Sequence, residues 1–115
     1  MKKDIFKKDY VELFETIKNR IRKAQYDALR AVNREMIILY LDIGKAIVEK
    51  QADDKYGKAV VEALSKDLQK EFLGMAGFSA RNIWYMRLFY LYCQKNQKLQ
   101  PLVAEISWTH NLIII

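Results

Sequence analysis

Few residues of this chain could do chemistry, and those few exclude most reactions. Asp53, Asp54 and Lys55 have the side-chain types of a metal nuclease, where carboxylates hold a hard cation and a lysine assists the attacking water. Here they stand in a charged turn between helical patterns, with no strand beside them, and they are read as solvated. His110 is the only histidine and Cys93 the only cysteine. The spacing therefore offers neither a zinc site nor a nucleophile and base, and His110 is read as structural. A single cysteine also precludes an internal disulfide and points to a reducing cytoplasm. What remains is non-covalent recognition. Ser79, Arg81, Asn82, Tyr85 and Arg87 bring hydroxyl, guanidinium and amide groups together in one short stretch. These types contact phosphates and base edges. Asn82 could equally cap a helix, and Arg87 could serve a surface ion pair.

The elements that must position this stretch are legible in the spacing of apolar residues. Val60, Val61, Leu64, Leu68 and Phe72 fall on one helical stripe. Leu73 to Phe78 interrupts it with Gly74 and Gly77, and Ser79 is placed to cap a second, aromatic-rich helix running through Tyr92. This is the outline of a helix-turn-helix, in which a bracing helix presents the start of its successor to a partner. At 100 degrees per residue, Arg81, Tyr85, Leu88 and Tyr92 share one side, and Ile83, Arg87 and Tyr90 another. The second helix is apolar almost all round, as a mostly buried helix would be.

Upstream, apolar residues recur at helical spacing from Tyr10 to Ile47 with no strong breaker. They predict one very long helix, or two stacked ones with a bend near Tyr26 to Asn33, after a fraying lead-in from Lys2 to Lys8. Its opposite face carries Lys18, Arg22, Lys23 and Arg30, cations for flanking phosphates or simply a solvated face. Gly44 inside this pattern costs about 1 kcal/mol relative to alanine, which calls for the close approach of another helix. Gly57 marks the start of the next helix. Pro101 opens a short one through about Glu105, and Ser107 caps another containing Trp108, His110 and Asn111.

Composition agrees with one folded helical domain. The chain has 115 residues, 51% of them hydrophobic, with one proline and a net charge of +6. Residues 1–30 hold nine Lys and Arg against five Asp and Glu, residues 31–74 seven against eight, and residues 75–115 four against one. The basic excess at both ends suits a polyanion such as nucleic acid. No apolar run has the length of a signal peptide core or a membrane span.

Four strings carry a resemblance. Leu41-Asp42-Ile43-Gly44-Lys45-Ala46-Ile47-Val48-Glu49, the Leu64-Ser65-Lys66-Asp67-Leu68 core, Gly77-Phe78-Ser79-Ala80-Arg81-Asn82-Ile83-Trp84-Tyr85-Met86-Arg87 and Ile106-Ser107-Trp108-Thr109-His110-Asn111-Leu112 resemble the bacterial YhcG-type family. Ala80 stands where that family is expected to carry proline, and Tyr85 where it is expected to carry a basic residue. The resemblance implies an all-helical amino-terminal domain, helix-turn-helix-like and DNA-binding, ahead of a PDDEXK nuclease domain. That nuclease domain would use Mg2+, and its catalytic residues fall beyond this chain. The expectation is thus an all-α domain over residues 1–115, a fragment of a longer cytoplasmic protein. A long amino-terminal helix packs on a helix-turn-helix-like unit, with short carboxy-terminal helices. The expected role is DNA targeting through Ser79, Arg81, Asn82, Tyr85 and Arg87, with Arg22, Lys23 and Arg30 on flanking phosphates. The fragment itself is expected to hold no catalytic residue, cofactor or metal. The alternative is a homodimerisation or protein-docking module without DNA contact.

Overall fold

The computed structural model describes residues 2–50 and 57–114, and every regular element among them is helical. Helix α1 runs Lys2–Lys50, α2 Gly57–Glu71 and α3 Ala80–Lys95. A 3-10 turn, Gln97–Leu99, leads into α4, Gln100–Val103, and α5, Trp108–Ile114, follows. Helix α1 is one continuous element of 49 residues. Helix α1 begins at Lys2, so the charged lead-in Lys2 to Lys8 is part of it. The Asp53-Asp54-Lys55 turn lies outside the described residues.

The chain divides into two compact units, residues 1–32 and 33–115. The first is the amino-terminal stretch of α1. From Phe6 to Val32 its side chains are exposed except for the half-buried Lys18. Local pairs decorate it: Lys18 with Glu15 at 2.9 Å, Lys23 with Asp27 at 3.4 Å, and the rings of Tyr10 and Phe14 stacked at 6.5 Å. Such exposed pairs contribute about 0–1 kcal/mol each.

The second unit holds the core. Tyr40 and Ile47 of α1, Val61 of α2, Phe78 of the turn, and Ile83 and Met86 of α3 form one buried cluster. Ile37, Phe89, Cys93 and Val103 form another. Trp108 joins the two, edge-on to Tyr40 at 4.9 Å and to Phe89 at 5.1 Å. Burying each large apolar side chain contributes about 1.5–3 kcal/mol. Gly44 allows α1 to approach α3. A Cβ built there would fall on the Met86 carbonyl group and 2.9 Å from the Tyr90 Cβ, so glycine is required by space.

Polar contacts then fix the carboxy-terminal segment. Asn33 donates to the Ile106 carbonyl at 2.9 Å, and Arg34 pairs with Glu105 at 2.5 Å. Asn111, 1% exposed, donates to the Val103 carbonyl at 3.0 Å. Short helices with few internal backbone bonds are held this way by side chains from elsewhere in the unit.

Candidate nucleic-acid interface

The turn between α2 and α3 sets the geometry of the recognition stretch. Gly74 and Gly77 adopt φ of +83° and +102°, the left-handed region that side chains disfavour. Gly77 is also constrained by space, since an added Cβ would lie 2.5 Å from the Tyr40 hydroxyl. The buried Ser65 hydroxyl donates to the Phe78 carbonyl at 2.7 Å, and Gln69 Nε2 donates to both the Ser65 oxygen (2.9 Å) and that carbonyl (3.1 Å). Helix α2 thereby clamps the turn. Ser79 follows as the expected cap, with extended backbone and Oγ accepting from the Asn82 amide at 3.1 Å.

Arg81 and Tyr85 stand together on the outer side of α3. The Arg81 Nε–H donates to the Tyr85 hydroxyl at 3.0 Å, and its guanidinium carbon lies 5.5 Å from the ring centroid. Arg81 is exposed and Tyr85 half-buried. The pair leaves donors available: a guanidinium has five N–H bonds, and a phenol that accepts one hydrogen bond still has its own O–H to give. The exposed Ser79 hydroxyl, already accepting at the cap, likewise keeps its proton to donate.

Asn82 and Arg87 do not join this surface. Asn82 Nδ2 donates to the Gly77 carbonyl at 2.7 Å, while its Oδ1 accepts from the Trp108 indole N–H at 2.7 Å. Its amide is committed at both ends to joining the turn, α3 and α5. Arg87 is 9% exposed, with its guanidinium 4.7 Å from the Trp84 ring centroid, and lies on the inner side of α3 with Ile83. The structure thus places both side chains in structural contacts, Asn82 on the structural side of the two alternatives the sequence allowed for it and Arg87 buried against Trp84. Lys58, which sequence reasoning passed over, borders a shallow depression of about 120 Å³ with Glu62, Ala80 and Trp84. It brings a cation of α2 to the start of α3. Its position one residue after Gly57, at a helix start, was the available signal.

In the other unit, Arg22 and Arg30 are exposed, and Lys23 is exposed while paired with Asp27. Burial raises the Tyr40 phenol above its usual 10.0, opposed by its hydrogen bond to Asn82, and burial raises the Cys93 thiol above 9.0. Neither group is tuned toward reactivity near neutral pH. Ser107, the expected cap of α5, also meets His110: Oγ lies 2.7 Å from Nδ1. The same oxygen accepts from the His110 backbone N–H at 3.2 Å, so this contact caps α5.

The family model of the DUF1016 N-terminal domain matches residues 16–115. The chain belongs to that family. It is also 34% identical over 102 residues to the Escherichia coli (strain K12) protein named "Putative nuclease YhcG", an alignment covering 85% of this chain and 27% of that protein. The chain thus spans about a quarter of the length of that curated relative. No solved structure matches it. Among the described residues of this DUF1016 N-terminal domain, no three His, Cys, Asp or Glu side chains converge where they could hold a metal ion. No helix among them is long and apolar enough to cross a membrane.

Proposed function

We propose that this DUF1016 N-terminal domain is a cytoplasmic DNA-targeting module that docks the start of α3 on duplex DNA and positions a nuclease domain carried on the same polypeptide. The observation that carries this reading is the exposed Arg81, held by Tyr85 at the first turn of α3 beside the capping hydroxyl of Ser79. Three side chains with donors to spare, in one and a half turns at the start of a braced helix, suit a phosphate or the edge of a base. The α2, turn and α3 arrangement serves as a helix-turn-helix in this reading. Lys58 adds charge from α2. The relative's printed name supports a nuclease partner in cis, whose own carboxylates would hold the Mg2+ of the cleavage step.

Fluorescence anisotropy with a labelled random-sequence duplex tests the reading. Binding should tighten steeply as salt is lowered, because each phosphate neutralised releases condensed counterions. Absence of binding by the folded chain at low salt would instead favour a docking module in which the charge plays no part. That second reading draws on the exposed apolar side chains of α1.

A further inference from the structure

Among the apolar residues of α1 between Tyr10 and Ala31, seven follow a stricter rule than helical periodicity, while the exposed Val11, Leu13, Tyr26 and Leu29 lie beside that line. Tyr10, Phe14, Ile17, Ile21, Ala24, Ala28 and Ala31 are separated by alternating steps of four and three. That 3.5-residue repeat is the seam of a coiled coil, which only another helix of the same repeat can fill along its length. Every one of these side chains is exposed, Tyr10 at 56%, Phe14 at 51%, Ile17 at 49% and Ile21 at 53%. At 1.5 Å per residue the seam extends for about 33 Å, well beyond the single exposed apolar side chains normal at a protein surface.

The seam also specifies its occupant. Its amino-terminal half is large (Tyr10, Phe14, Ile17, Ile21) and its carboxy-terminal half is small (Ala24, Ala28, Ala31). A second copy laid parallel would set ring against ring at one end and alanine against alanine at the other. Laid antiparallel, six of the seven positions pair large with small: Phe14 with the partner's Ala31, Ile17 with the partner's Ala28, and Ile21 with the partner's Ala24, with Tyr10 beyond the last of these layers. The volumes then stay nearly even along the seam, as close packing demands. The same register sets Arg20 beside the partner's Asp27 and, by two-fold symmetry, Asp27 beside the partner's Arg20. Asp27 meets Lys23 of its own helix through Oδ2 at 3.4 Å, so a carboxylate oxygen remains for the second cation.

We infer that residues 14–31 form an antiparallel coiled-coil interface with a second copy of this chain. The inference stands apart from the DNA reading, since it is read from mass and cross-linking while DNA binding is read from anisotropy. The test uses the 115-residue chain with Cys93→Ala, so that introduced thiols are the only ones. Sedimentation equilibrium should give twice the chain mass. Arg20→Asp should weaken self-association about tenfold, and Arg20→Asp combined with Asp27→Arg should restore it. These exposed sites leave helicity and thermal midpoint as checks on folding. Chains carrying Ile17→Cys should form disulfides with chains carrying Ala28→Cys, and not with one another. A monomer at all concentrations would overturn the inference, leaving the seam to another segment or partner. Ile17→Cys chains that cross-link preferentially to themselves would overturn it in favour of a parallel pair.

Discussion

Replacing Asn82 by alanine removes the acceptor of the Trp108 indole N–H and the donor to the Gly77 carbonyl in one step. Each buried polar group left unpaired costs about 1–3 kcal/mol. These contacts are only part-buried, so the substitution should lower stability by about 1–3 kcal/mol, read as a lower urea midpoint at unchanged slope. Arg81→Ala, at an exposed position, should stay within about 0.5 kcal/mol of the parent. Titration supplies a second prediction. Both Tyr40 and Cys93 have folded-state pKa values raised by burial. Their contribution to stability is thus full below their unfolded values and lost as pH rises through the folded ones. Urea midpoints should hold up to about pH 9 and fall beyond it, with Cys93→Ala removing the earlier part of the decline and Tyr40→Phe the later part. These roles were beyond sequence reading because they depend on distant partners. Asn82 and Trp108 are 26 positions apart, and nothing in the helical spacing says that their side chains meet.

At the scale of elements, far more was legible. The interruption at Gly74 and Gly77, the cap at Ser79 and the starts of α2 and α5 are local signals, and the structure has them where the sequence placed them. Losing the cap by Ser79→Ala should cost about 1 kcal/mol, measurable by thermal unfolding. Gly44 was legible as a problem, and the structure supplies its cause in the Met86 carbonyl. Two effects compete in Gly44→Ala: helix propensity gains about 1 kcal/mol, while forcing a methyl group into backbone costs about 1–3 kcal/mol or more. The contact is with main chain, which cannot swing aside as a side chain would. A net loss of stability is expected, seen as a lower thermal midpoint. What periodicity could not supply was the sense of the polar positions on α3. It grouped Arg87 with Ile83 correctly, yet a charged residue on that side reads as surface until Trp84 is seen against it. The clamp of Ser65 and Gln69 on the Phe78 carbonyl was missed for a similar reason, because hydroxyl and amide side chains on a helix read as solvent-facing by default.

Across the whole molecule, the proposed DNA contact draws on a net charge of +6. Overall charge draws a protein toward polyanions without naming the contact residues. Of the five sequence candidates on this helix, Ser79 and Arg81 are exposed and Tyr85 is half-buried beside Arg81, and these with Lys58 are the contacts of the proposed function. The most direct measurement is the salt dependence of duplex affinity for the parent chain and for Arg81→Ala, with both shown to share one thermal midpoint. If α3 is the contact, Arg81→Ala should weaken binding severalfold at every salt concentration and reduce the slope of log affinity against log salt by about one. Equal affinity and equal slope for the two chains would contradict the proposal that the start of α3 grips DNA.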